Sequence, residues 1–179
     1  MKQFILPTLI FLLSACGKSG AERYVGYWQE HNDKYVIVSE IKKENGNYFV
    51  VSNIVAEGKA AEKQTVLSEK EGELVFNLGI GDMPLKLSDD GKTLFVDKKS
   101  FTKIDTSTKD KIMAHEAKCR QLSDEFAAET KTLPNVMSQE YKAAQEALQQ
   151  KYFPQFEQLE QEMLCNRKPL DYKILKSRE

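Results

Sequence analysis

All nine glycines of this 179-residue chain fall between Gly17 and Gly91, and none follows. Glycine supplies the positive φ of tight turns and weakens a helix by about 1 kcal/mol relative to alanine. A chain that abandons it halfway changes its construction there. The composition shifts at Asp105, and the two sides follow different hydrophobic periods. The first half reads as strands and turns, the second as helices, which together predict an α+β fold.

In the β half, assigned to residues 23–104, Tyr35 to Ile41 is rich in β-branched residues. Asn45-Gly46 then gives the strongest short hairpin signal, because both residues tolerate positive φ. Tyr48 to Val55 returns as the partner strand. After the polar stretch Glu57 to Lys63, shorter runs follow at 65–67, 73–78, 83–87, 93–96 and 101–104. They are broken by Glu71-Gly72, by Gly79 and Gly81, and by the turn Ser88 to Lys92. That makes about seven short strands in sequence, a pattern that favours an antiparallel meander curled into a half-barrel or small barrel.

Beyond Asp105, Thr106 to Asp110 offers several helix N-caps. Ile112, His115, Cys119, Leu122 and Phe126 fall at spacings of three and four, so a helix is expected from about Lys109 to Lys131. Pro134-Asn135 marks a turn. A second helix, from Met137 or Ser138, carries a stripe of Met137, Tyr141, Ala144, Leu148 and Tyr152. Phe156, Leu159 and Met163 continue that stripe past Pro154. The expectation is a helical hairpin over 105–165, with a basic tail at 166–179 that is loose or partly docked.

The N-terminus has its own pattern. Lys2 precedes a mostly apolar run from Phe4 to Leu13, which is too short for a bilayer span of about 20 residues. Such a run fits a cleaved signal peptide over 1–15. Leu13-Ser14-Ala15-Cys16 resembles the lipobox of bacterial lipoproteins. The resemblance implies cleavage before Cys16, diacylglycerol on its thiol, and a stable membrane anchor once two or more acyl chains are present. Residues 16–22 then read as a lipidated, flexible tether. Gly17, just after the modified cysteine, implies sorting to the outer membrane rather than retention in the inner one.

With Cys16 acylated, Cys119 and Cys165 remain as an even pair in an oxidising compartment, where a disulfide is the expectation and two buried free thiols the alternative. A straight hairpin turning near Pro134 opposes this bond. Cys119 stands about 21 Å back from the turn and Cys165 about 42 Å beyond it, at 1.5 Å per residue. The helical region must therefore bend. Pro154 is the natural break, with 155–164 folding back as a third short helix or the second helix merely kinking.

Few residues suggest chemistry. His31 sits in a polar turn and His115 on the first helical stripe, each more readily structural than catalytic. Asp89-Asp90 lacks the ligand density of a calcium loop and reads as a turn. Lys98, Lys99 and Lys103 read as a charged strand edge guarding against pairing, or as a contact for anionic lipid. No metal-binding or catalytic motif is present, no cofactor is implied, and the near balance of 26 basic and 27 acidic residues leaves no nucleic-acid footprint. Gly26-Tyr27-Trp28 resembles the opening motif of lipocalin-like barrels, in which the tryptophan packs across the barrel base. A core tryptophan in any small sheet is the other reading.

These features point to a non-catalytic, membrane-anchored lipoprotein of the periplasm or outer membrane. An interaction or envelope-assembly module with a protein partner is the first expectation. A lipocalin-like small-ligand binder, or an inhibitor of a cell-wall hydrolase, is the alternative. Bulky residues such as Trp28, Phe49, Phe76, Leu85 and Phe95 are expected to fill the sheet interior and leave no deep ligand site.

Overall fold

The structure, a computed structural model, describes residues 20–56, 63–170 and 172. The expected signal peptide, Cys16 and most of the expected tether lie outside the described residues. So do nearly all of the polar stretch after Val55 and the end of the basic tail.

Eight antiparallel strands close into an up-and-down barrel. They are β1 (Gly26–Glu30), β2 (Val38–Glu44), β3 (Asn47–Val51), β4 (Gln64–Lys70), β5 (Glu73–Asn77), β6 (Asp82–Leu87), β7 (Thr93–Val96) and β8 (Lys99–Ile104). The expected half-barrel is thus corrected to a full one. The additional strand is β1, which pairs with β2 on one side and β8 on the other, as in Trp28 with Ser39 and Lys103. Closure removes both sheet edges.

Each hairpin follows from its turn. Asn45 and Gly46 both take positive φ (50° and 82°), the geometry that matches the twist of the flanking strands. The strand expected from Tyr35 begins three residues later, at Val38. The backbone of Val36 is instead engaged by the side chain of Asn166, with its N–H donating to Oδ1 (2.7 Å) and its carbonyl accepting from Nδ2 (2.8 Å).

Alternate residues fill the lumen, among them Trp28, Ile41, Val50, Leu74, Leu85 and Leu94. Two bulky residues expected inside do not seal it: Phe95 faces outward and is 44% exposed, and Phe49 shares a strand with the inward Tyr48 and Val50 at the opposite parity. Gly20 to Glu22, expected to belong to a flexible tether, instead lie in a 3-10 turn over Gly20–Tyr24 that buries Ala21 and Tyr24 against the barrel core.

Helix α1 (Thr106–Thr130) starts ahead of its expected position because Asp105 caps it, accepting from Thr108 N–H at 2.6 Å. That bond holds the Asp105 carboxyl below its ordinary pKa. Ile112 packs with Val36, Val38 and Val55 on the outer barrel wall. Helix α2 (Gln139–Glu162) passes through Pro154 without ending. The expected third helix over 155–164 is therefore absent, and the chain reverses after Glu162, where Met163 is extended.

The bond between Cys119 and Cys165 forms nonetheless, with Cα atoms 5.6 Å apart. The first turns of α2 overhang the hairpin and are mostly exposed, with burial beginning at Leu148. Phe126 meets Tyr152 edge-on at 5.6 Å, and His115 reaches the Leu159 carbonyl at 2.9 Å. Cys119 thus lies alongside the last turns of α2, and a short return after Glu162 suffices. In the described part of the tail, Tyr172 is buried against Phe153 and Phe156.

Candidate functional site

The two ends of the barrel differ. At the end where β1 begins, the 3-10 turn forms a plug. Trp28 is fully buried and donates its indole N–H to the Tyr24 carbonyl at 2.8 Å. The Tyr24 hydroxyl donates to the Leu85 carbonyl at 2.9 Å, and burial, with the nearby Glu73 charge, raises its pKa above the ordinary value. Lys103, from the last strand, lays its ammonium 4.9 Å from the Trp28 ring centre and donates to the Arg23 carbonyl at 2.6 Å.

Gly26 explains itself here. Its φ is +138°, and a Cβ at that position would meet Lys103 Cε at 3.2 Å. The Gly-x-Trp triplet therefore fits a lysine stem passing over the base, and Trp28 is at once a core residue and part of the barrel floor.

The opposite end holds a cavity of about 220 Å³. Ile41, Phe76, Met83, Leu85, Leu94 and Phe101 supply apolar wall, while Glu30, Ser39, Ser52 and Lys99 supply the polar groups. The volume lies between the roughly 150 Å³ of an engineered cavity that takes benzene and the roughly 300 Å³ at which drug-sized sites begin. The expectation of a filled interior is thus modified: there is a cavity, too small for a long-chain fatty acid.

Glu30 is the unusual residue in that wall. Its side chain is only 6% exposed, and Lys99 Nζ approaches Oε2 at 3.0 Å. Asn32 Nδ2 donates to Oε1 at 3.3 Å. Ser39 donates its hydroxyl proton to the Ser52 carbonyl at 2.7 Å, leaving its lone pairs for the lumen. The pairing of Lys99 with Glu30, and of Lys103 with the plug, replaces the charged edge expected of these lysines. A closed barrel has no edge to guard.

The other candidate residues lie elsewhere. His31 hydrogen-bonds Thr102 Oγ1 at 2.6 Å on the outer surface. Asp90 accepts from Ser88 Oγ and Lys92 N–H within its own turn, which lowers its pKa. His115, Cys119 and Cys165 are the one metal-capable grouping among the described residues, and both sulfurs are committed to the disulfide.

A second hollow of about 260 Å³ lies outside the barrel beside Val55, Glu116, Arg120 and Asn166. Its polar groups bind one another: Arg120 Nη1 donates to the Val55 carbonyl, and Asn166 N–H to Glu116. Burial raises the Glu116 pKa, against the partial offset of that hydrogen bond. No signal in the sequence marked Glu30 as a lumen residue, although it stands two positions after Trp28 and shares its face of β1. No protein-family model, curated protein or solved structure matches this chain.

Proposed function

We propose that this chain is a lipid-anchored envelope protein, held through acylated Cys16, whose barrel binds a compact, mostly apolar ligand without transforming it. The observation that carries the binding role is the 220 Å³ cavity in a closed barrel plugged at one end. Eight-stranded up-and-down barrels have an interior that either fills with side chains or holds one small ligand, as in lipocalins. The lipocalin-like reading gains from the fold and from Gly26-Tyr27-Trp28 at the plugged base.

The test is calorimetric titration of the purified protein with n-octanol, beside the variant Val96→Phe, which fills the cavity from its wall. Saturable binding to the native protein and none to the folded variant is the expected result. Equal heats in both proteins, or no binding to either, overturns the assignment.

A second reading, the envelope-assembly module, rests on Val136 and Met137. They are 65% and 90% exposed at the loop joining α1 and α2. Crosslinking of the intact protein in its native envelope, with and without Met137→Lys, tests it. A partner captured equally by both proteins would place the contact elsewhere.

A further inference from the structure

The binding role leaves open which polar group a ligand carries, and the wall of the cavity answers that. We propose that the barrel selects a cation: a compact apolar amine whose ammonium replaces that of Lys99 against Glu30. This inference rests on the ligand-binding reading and deepens it.

The asymmetry of the Glu30–Lys99 pair is the first ground. The Glu30 side chain is 6% exposed and the Lys99 side chain 59%. The carboxylate is built into the wall, whereas the ammonium reaches it from water on a flexible stem. Without its cation this buried carboxylate keeps only the 3.3 Å bond from Asn32, so Glu30 favours an ammonium beside it. An incoming ammonium takes that place while Lys99 swings back into solvent, where a hydrated lysine loses little.

The surroundings supply the rest. Ser39 faces the same lumen on the strand next to Glu30, and its proton is already given to Ser52. Its oxygen is thus an acceptor for a second ammonium N–H, and an ammonium has three donors to place. Lys103, the other lysine on that face of β8, is held at the plugged end by the Arg23 carbonyl and does not compete. The apolar remainder of the cavity suits a body of about eight to twelve heavy atoms, by interpolation between the benzene-sized and drug-sized limits.

Alternative head groups fare worse. A neutral alcohol fills the apolar space but leaves the ion pair as it was. A carboxylate would bring a second negative charge beside Glu30, and like charges at close range are unfavourable.

Three probes of one chain length separate these cases on the full-length protein at neutral pH: n-octylamine, n-octanol and octanoate. The amine should bind at least about ten-fold more tightly than the alcohol, with octanoate weakest. Glu30→Gln should bring the amine to the level of the alcohol. Should that variant fail to fold, Lys99→Ala serves instead. It removes the competing ammonium and should tighten amine binding.

Equal affinity for amine and alcohol overturns the inference but leaves the binding role intact. So does an amine preference that survives Glu30→Gln, or one that weakens in Lys99→Ala. Failure of all three probes to bind overturns the binding role itself, and this inference with it.

Discussion

Replacing Cys119 and Cys165 together by alanine should unfold the helical hairpin well before the barrel. The bond joins residues 46 apart, one in α1 and one just beyond α2, and neither belongs to a strand. Opening a loop of that length removes about 4 kcal/mol in the chain-entropy model. That is a large share of the roughly 5–15 kcal/mol by which small proteins are stable. The hairpin core of Phe126, Tyr152 and Phe156 shares no residue with the barrel core, so most of the loss falls on the hairpin, which meets the barrel wall chiefly around Ile112. The same substitution loosens Asn166, the neighbour of Cys165, from the backbone of Val36.

The single tryptophan makes the experiment clean, because Trp28 lies at the barrel base and reports that domain alone. Helical circular dichroism reports α1 and α2. In urea, with an m-value of about 1–3 kcal/mol/M, the helical transition should move down by about 1.3–4 M. The Trp28 fluorescence transition should move far less. Equal displacement of both probes would show one cooperative unit. A helical midpoint moved by less than about 0.5 M would refute the loop-closure argument outright.

Lys103→Met should destabilise the barrel by about 1–3 kcal/mol, since it removes a charge-assisted hydrogen bond to Arg23 and the cation over Trp28. A Trp28 emission midpoint in urea unchanged from the native protein would refute that role. Burial raises the Glu116 pKa, so the folded state holds its proton more firmly than the unfolded state. Its contribution to stability is complete below the ordinary carboxylate range and is lost as pH rises through the raised value. Glu116→Gln should flatten that segment of the stability profile in pH-dependent denaturation, and an unaltered slope would count against it. On vesicles carrying the acylated protein, a fluorophore at Asn47 should transfer energy to labelled lipid more strongly than one at Ile80, and Cys16→Ala should abolish both signals. Equal transfer from the two positions would mean the barrel does not stand on its plugged end.

The alternation of apolar residues and the turn chemistry made the strand half and the helical half legible, as did the cysteine pair. Closure was not legible. It depends on β1 meeting β8, residues such as Tyr27 and Ile104 that are far apart in sequence, and local periodicity carries no record of such a pairing. Gly26–Glu30 is also short and ends in Gln-Glu, a poor strand signature for a segment buried on its inner face. Pro154 misled in the other direction. A proline removes one hydrogen bond, but packing of Tyr152 and Phe156 on the same face keeps the helix running through it. The reversal then falls at Met163, where no proline or glycine announces it. Glu30 was hidden because its meaning comes from the lumen, and the lumen exists only once the barrel closes.

The two ends of the barrel follow from one strand. On β8 the residues Lys99, Phe101 and Lys103 share a face by the period of two, and that face is the lumen. A lysine at each end of the same row meets opposite surroundings. At the base, the 3-10 turn brings the Arg23 carbonyl and the Trp28 ring to Lys103, and the ammonium becomes part of the plug. At the mouth no such turn folds over Lys99 among the described residues, and its ammonium pairs with the Glu30 carboxylate. The plug is made from the residues next to the proposed tether: Cys16 precedes Gly20 by four positions, at most about 14 Å of extended chain. Under the proposed acylation, anchoring and sealing would fall at the same end, on consecutive segments. An acylated Cys16 would then hold the plugged base towards the bilayer and turn the mouth, with its buried carboxylate, towards solvent. In that arrangement the proposed ligand would enter from the aqueous side, which suits a small soluble amine better than a lipid taken from the membrane.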